Sequence, residues 1–111
     1  MFFRKKKYPG SLSLDVAGTY YRQDALSKAP KERTPAKLKP DPTNKHDRNA
    51  VKVMIGKYFI GYIPRTQSAL VSKLIEEDRI LDVFTEIWKD EPDDHGDVYL
   101  VASVKIRINN E

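Results

Sequence analysis

The chain has 111 residues, 40% of them hydrophobic and 32% charged, which suits one packed domain and excludes a mainly disordered polymer. It contains no cysteine, so disulfides, thiolate zinc sites and thiol catalysis are excluded. The net charge of +4 hides an asymmetry: residues 1–65 hold fifteen Lys/Arg against five Asp/Glu, while residues 66–111 hold five against eleven.

Met1-Phe2-Phe3 precedes Arg4-Lys5-Lys6-Lys7, the wrong order and length for a signal peptide, and no stretch approaches the ~18 apolar residues of a membrane span. The expectation is a cytoplasmic protein with a basic tail over residues 1–10 and a single domain over 11–111. Leu12, Leu14, Val16 and Gly18 alternate with Ser13, Asp15 and Ala17, the period of a half-buried strand ending near Tyr20-Tyr21. Residues 22–35 lose strong periodicity. Arg22 to Ala29 has room for two helical turns, but Pro30 and Pro35 mark the region as mainly loop. Ala36 to Lys39 is a short candidate strand. Asp41-Pro42-Thr43-Asn44-Lys45-His46-Asp47-Arg48-Asn49 is a polar turn-forming run, and it switches abruptly to the β-type residues Ala50-Val51-Lys52-Val53. Val51, Val53 and Ile55 share a face, and Gly56-Lys57 predicts a hairpin into Tyr58 to Ile63.

Pro64 stops that strand, and Thr66 is the predicted cap of a helix carrying Leu70, Val71, Leu74 and Ile75 on its buried stripe. The last third predicts a hairpin: Leu81, Val83, Thr85 and Ile87 on one face, then Val98, Leu100, Ala102, Val104, Ile106 and Ile108 on the returning strand. Five or six short strands and one main helix predict a mainly β (α+β) fold, a small antiparallel barrel.

Candidate binding residues cluster in the basic half. Between residues 22 and 65 lie eleven positive and four negative side chains, which predicts a basic face suited to nucleic acid. Tyr20 and Tyr21 fall at the predicted strand end, where adjacent side chains point to opposite faces, so one is expected in the core and the other free to stack on a base. Arg22 follows them. Asp47 is a turn aspartate suited to capping backbone N–H groups, and its carboxylate can also accept a hydrogen bond from a sugar hydroxyl. Asn49 suits the loop-to-strand junction. Tyr62 offers a ring edge and hydroxyl, and Arg65 stands beside a helix N-terminus, where anions are favoured. Tyr99 can approach the same groove from the last hairpin. Trp88, the sole tryptophan, is expected to anchor packing, and Gly61 to permit a close approach or a bend.

Other chemistries find less support. Asp93-Asp94-His95-Gly96-Asp97 clusters possible metal ligands without the spacing of a calcium loop or zinc site, and fits a hairpin tip better. A metal-dependent nuclease would want a carboxylate two residues before Lys52, where Ala50 stands. No glycine-rich phosphate loop is present. No metal, cofactor or catalytic constellation is therefore expected, and the chain is read as a binding module.

Val16-Ala17-Gly18-Thr19-Tyr20-Tyr21, the run from Asp41-Pro42 to Val53, and Ile60-Gly61-Tyr62-Ile63-Pro64-Arg65 with the helix after it together resemble the signature of the HIRAN domain. That family occurs in helicase-like transcription factor and related DNA-repair remodellers, and in small stand-alone bacterial proteins. The resemblance implies an OB-like barrel with a packed helix. It also implies recognition of single-stranded DNA at a free 3′-hydroxyl, with an aromatic residue at the place of Tyr21 on the terminal nucleotide. The family loop commonly has an aromatic before the aspartate and a proline before that; here these positions are His46 and Lys45. Larger HIRAN proteins carry ATPase motors, and no motor sequence is present here. RNA remains an alternative partner, and a small regulatory or protein-interaction domain using the acidic C-terminal half is the competing function.

Overall fold

The computed structural model describes residues 8–111, so most of the expected basic tail, residues 1–7, lies outside the described residues. Tyr8 is buried. Its N–H donates to Asn110 Oδ1 at 2.9 Å and its carbonyl accepts from Asn110 Nδ2 at 2.8 Å.

Seven strands and two helices follow: β1 (Ser11–Asp15), α1 (Gln23–Lys28), β2 (Thr34–Pro35), β3 (Lys37–Pro40), β4 (Val51–Ile55), β5 (Tyr58–Tyr62), α2 (Arg65–Glu76), β6 (Ile80–Lys89) and β7 (Leu100–Ile108). A 3-10 turn over Thr19–Arg22 leads into α1. All strand pairing is antiparallel, in a four-stranded sheet ordered β1-β7-β6-β2 and a three-stranded sheet ordered β3-β4-β5. The ladders of the described residues are two sheets rather than one closed barrel. They meet where the chain passes from one to the other. Thr34–Pro35 pairs with β6, and two residues later Lys37–Pro40 pairs with β4. On the other side Val16 N–H donates to Ala102 O, while Ala17 bridges to Tyr62 of β5.

The core lies between the sheets and under the helices, with Leu26, Val51, Val53, Ile60, Val71, Leu74, Val104 and Ile106 all almost fully enclosed. Burying such side chains contributes about 1.5–3 kcal/mol each. The stripe predicted for α2 holds: Val71 and Leu74 are buried, Leu70 and Ile75 half-buried. Thr66 is not its cap. Pro64 occupies that position without a side-chain bond, and its carbonyl accepts Gln67 N–H at 2.8 Å.

In the last hairpin Val83, Thr85 and Ile87 face the core as expected, but Leu81 is 55% exposed. The register steps from Ile80↔Ile108 to Asp82↔Arg107, so Leu81 is the extra residue of a bulge and loses its place in the alternation. The returning strand begins only at Leu100. Ala102, Val104, Ile106 and Ile108 are buried, whereas Val98 lies outside the ladder and is 48% exposed. Trp88 is likewise no buried anchor; it is 45% exposed on the outer face of β6.

Candidate nucleic-acid interface

Gly61 sets the geometry of the interface. In the β4–β5 ladder Val53 pairs with Gly61 and Met54 with Phe59, so Ile60 is passed over and the strand bulges. Gly61 has φ +151°, and a Cβ there would sit 2.4 Å from Ala17 O and 2.6 Å from Val16 Cγ1. The missing side chain lets the Val16–Ala17 backbone close onto β5, where Ala17 and Tyr62 exchange hydrogen bonds of 2.8 and 2.9 Å. The same bulge brings Phe59 and Tyr62 into edge contact, ring centroids 5.1 Å apart.

β1 ends at Asp15, before the two tyrosines, so strand alternation does not reach them. Gly18, with φ +77°, bends the chain into the 3-10 turn, which buries Thr19 and turns both Tyr20 and Tyr21 outward, 59% and 83% exposed. The expectation of one core tyrosine and one free tyrosine is corrected: neither is core. Tyr20 touches Tyr21 edge-on at 5.2 Å and Tyr99 at 5.0 Å. Gln23 holds this cluster together. Its Nε2 donates to Thr19 O at 2.8 Å and Leu100 O at 2.9 Å, and its Oε1 accepts Leu100 N–H at 2.8 Å, pinning the turn to the start of β7. Arg22 lies with its Cζ 3.8 Å above the Phe59 ring, and Lys52 Nζ is 5.0 Å from the same ring.

The polar loop is built by its own side chains. Asn44 Oδ1 accepts the N–H groups of His46 at 2.9 Å and Asp47 at 3.2 Å, while Asp47 Oδ1 accepts that of Asn49 at 2.9 Å. Ser68, buried in the first turns of α2, donates to Asp47 Oδ2 at 2.6 Å and ties the loop to the helix. The Ser68 hydroxyl holds the Asp47 carboxyl below the usual aspartate range, helped by the Asn49 N–H and the Arg65 charge, with partial burial opposing. Asp47 is therefore an anion at neutral pH. Tyr62 Oη donates to Asp41 Oδ2 at 3.1 Å; burial first, then this bond, raises its pKa and keeps it protonated.

His46, Asp47, Tyr62 and Arg65 line one open groove of about 240 Å³ together with Ala17 and Asn44. Tyr20, Tyr21, Arg22 and Tyr99 form a neighbouring cluster, linked to that groove through the Arg22–Phe59 and Phe59–Tyr62 contacts. Asn49 is exposed on the loop and its side chain is not part of the groove lining. Sequence reasoning missed Phe59, Asn44, Asp41 and Gln23. A glycine inside a strand was the available signal for Phe59, since it marks a bulge that changes which residues share a face. At the far hairpin tip, Asp93 Oδ1 accepts the N–H groups of His95 and Asp97, both at 2.9 Å, as a turn aspartate does.

The HIRAN domain family matches residues 9–109 of the sequence. This chain belongs to the HIRAN family. HIRAN domains are DNA-binding modules, and the family is one of binding domains. The crystal structure of the HIRAN domain of human HLTF superposes with a TM-score of 0.64 at 17% identity, covering 92% of this chain and 78% of that one. A crystal structure of a protein from Lactobacillus plantarum gives 0.51 at 18% identity, covering 88% of this chain and 99% of that one. At such identities the likeness is one of fold. No curated protein matches the sequence. Among the described residues of this HIRAN domain no helix is long and apolar enough to cross a membrane, and no group of three or more His, Asp or Glu side chains is placed to hold a metal.

Proposed function

We propose that this HIRAN domain, with residues 11–111 as one OB-like domain, is a cytoplasmic binding module for single-stranded DNA and takes the strand at a free 3′-hydroxyl end. The observation that carries the proposal is the exposed pair Tyr20 and Tyr21, held outward by a pinned 3-10 turn beside Arg22 and next to the groove of His46, Asp47, Tyr62 and Arg65. Aromatic rings presented beside cations stack on bases of any sequence, at about 1–3 kcal/mol per base. Arg65, in the first turn of α2, is suited to a phosphate oxygen. Asp47 supplies the end selectivity. A carboxylate has about four acceptor sites, and Asn49 and Ser68 occupy two, leaving capacity for a terminal hydroxyl. A terminal phosphate would bring a second anion against it. Asn49 supports the loop, and His46 and Tyr99 complete the aromatic lining.

Fluorescence anisotropy with a short labelled DNA strand, its RNA counterpart and a blunt duplex tests the proposal across a salt series. If three to five cations meet phosphates, log K against log salt should fall with a slope of about −2 to −3.5, and Arg65→Ala should lessen that slope by about 0.7. The DNA strand should bind best. Failure of every oligonucleotide to bind in low salt would favour the protein-interaction alternative.

A further inference from the structure

Beside Tyr21, a second groove of about 340 Å³ opens between α1 and the β4–β5 hairpin. Tyr21, Arg22, Lys28, Lys57, Tyr58 and Phe59 line it. Its chemistry differs from that of the end groove. Arg22 lies over Phe59 at 3.8 Å with Lys52 also within 5.0 Å of the ring, and Lys57 Nζ is 5.5 Å from the Tyr58 ring. Phe59 thus serves as a platform that holds cations, and Tyr21 is the ring left open to a base. Arg22, Lys52 and Lys57 make no ion pair among the described residues. The one acid on the wall, Asp24, is already paired with Lys28 at 3.1 Å in an exposed i, i+4 contact that a phosphate can outcompete. Arg22 and Lys57 thus face no carboxylate partner among the described residues, and Lys28 has only this exposed one. They are also continuous with the proposed end site, through Tyr20–Tyr21 on one side and Phe59–Tyr62 on the other.

We propose that this groove is a second subsite, in which Lys28, Lys57 and the ring-held Arg22 take the backbone phosphates of nucleotides preceding the strand end. The inference rests on the end-binding reading and deepens it. The end groove sets which terminus is accepted, and the second groove sets how affinity grows with strand length.

The test compares thymidine oligonucleotides of two and six residues, both with free 3′-hydroxyls, on the wild type and on the double variant Lys28→Gln, Lys57→Gln. Both lysines are exposed, and an unchanged thermal melt verifies that the variant folds. The wild type should bind the hexamer at least about tenfold more tightly than the dimer in low salt. The double variant should lose most of that gain, keep dimer affinity within about twofold, and show a hexamer salt slope smaller by about 1.4, the share of two phosphate contacts on a single strand. Equal wild-type affinity for both lengths would overturn the subsite, as would a variant that weakens dimer and hexamer alike, since the lysines would then act only as a diffuse field. A wild type that binds neither length would remove the end-binding reading and this inference together.

Discussion

Replacing Gly61 by alanine puts a single methyl group at the joint between the two sheets. The added carbon would lie 2.4 Å from Ala17 O and 2.6 Å from Val16 Cγ1, distances that no relaxed structure keeps, at a φ of +151° that disfavours any side chain. The Val16–Ala17 segment must withdraw. Two hydrogen bonds between Ala17 and Tyr62 then break, about 1 kcal/mol net each, and overpacking against backbone adds about 1–3 kcal/mol. A loss of about 3–5 kcal/mol is expected, a large part of the about 5–15 kcal/mol margin of a small domain. Urea denaturation followed by circular dichroism measures it as a lower midpoint. Hydrogen exchange should show the Ala17 and Tyr62 amides losing protection first, because their bonds carry the joint. Oligonucleotide binding should fall as well, since the turn bearing Tyr20 and Tyr21 hangs from the displaced segment. A Gly61→Ala domain with an unchanged midpoint and protected Ala17 and Tyr62 amides would refute the close approach as the device that builds the interface.

Val104→Asp buries a carboxylate on the central strand β7, where Val104 is 1% exposed between Leu14 and Thr85, and should cost about 4 kcal/mol or more; Val98→Asp, outside the ladder, should stay within about 0.5 kcal/mol by the same urea titration. Ser68→Ala should raise the Asp47 pKa toward the ordinary aspartate value, read by carboxyl carbon NMR. Because the folded-state pKa of Asp47 is depressed, its contribution to stability is complete above the ordinary value of about 3.9 and is lost as pH falls through the lowered one, so the Ser68→Ala penalty should shrink in that acid window. An Asp47 titration unmoved by Ser68→Ala would show that the 2.6 Å bond does not hold the loop. Tyr21→Ala, at a side chain 83% exposed, should leave the melt unchanged and weaken DNA binding by about 1–3 kcal/mol; loss of stability without loss of affinity would assign the ring to packing.

Much of this architecture was legible in the residues. The alternation from Leu100 to Ile108, the Gly56-Lys57 hairpin and the apolar stripe of α2 all act through local periodicity, and local periodicity survives into the structure. Departures occur where one residue breaks the period. Leu81 leaves the core face because a bulge inserts it, and Tyr20 and Tyr21 share the outside because Gly18 starts a turn before the strand reaches them. How the strands divide between two antiparallel sheets was not legible, since pairing between distant segments such as Ala17 and Tyr62 has no local signature. The candidate site was legible as a set of residue types, and the loop aspartate indeed caps the backbone N–H of Asn49. Its framework was not, because Gln23 reaches Leu100 and Ser68 reaches Asp47 only after the chain has folded.

The central claim is that the domain takes a DNA strand by its hydroxyl end, and the most direct measurement compares one labelled oligonucleotide carrying a free 3′-hydroxyl with the same strand carrying a 3′-phosphate. The wild type should bind the hydroxyl end at least about tenfold more tightly, because a terminal phosphate would confront the ionised Asp47. Asp47→Asn keeps an oxygen for the Asn49 N–H and a polar group for Ser68, so the loop should persist while the charge is gone and the discrimination narrows. Equal affinity of the wild type for the two ends, or full discrimination in a folded Asp47→Asn domain, would contradict the assignment.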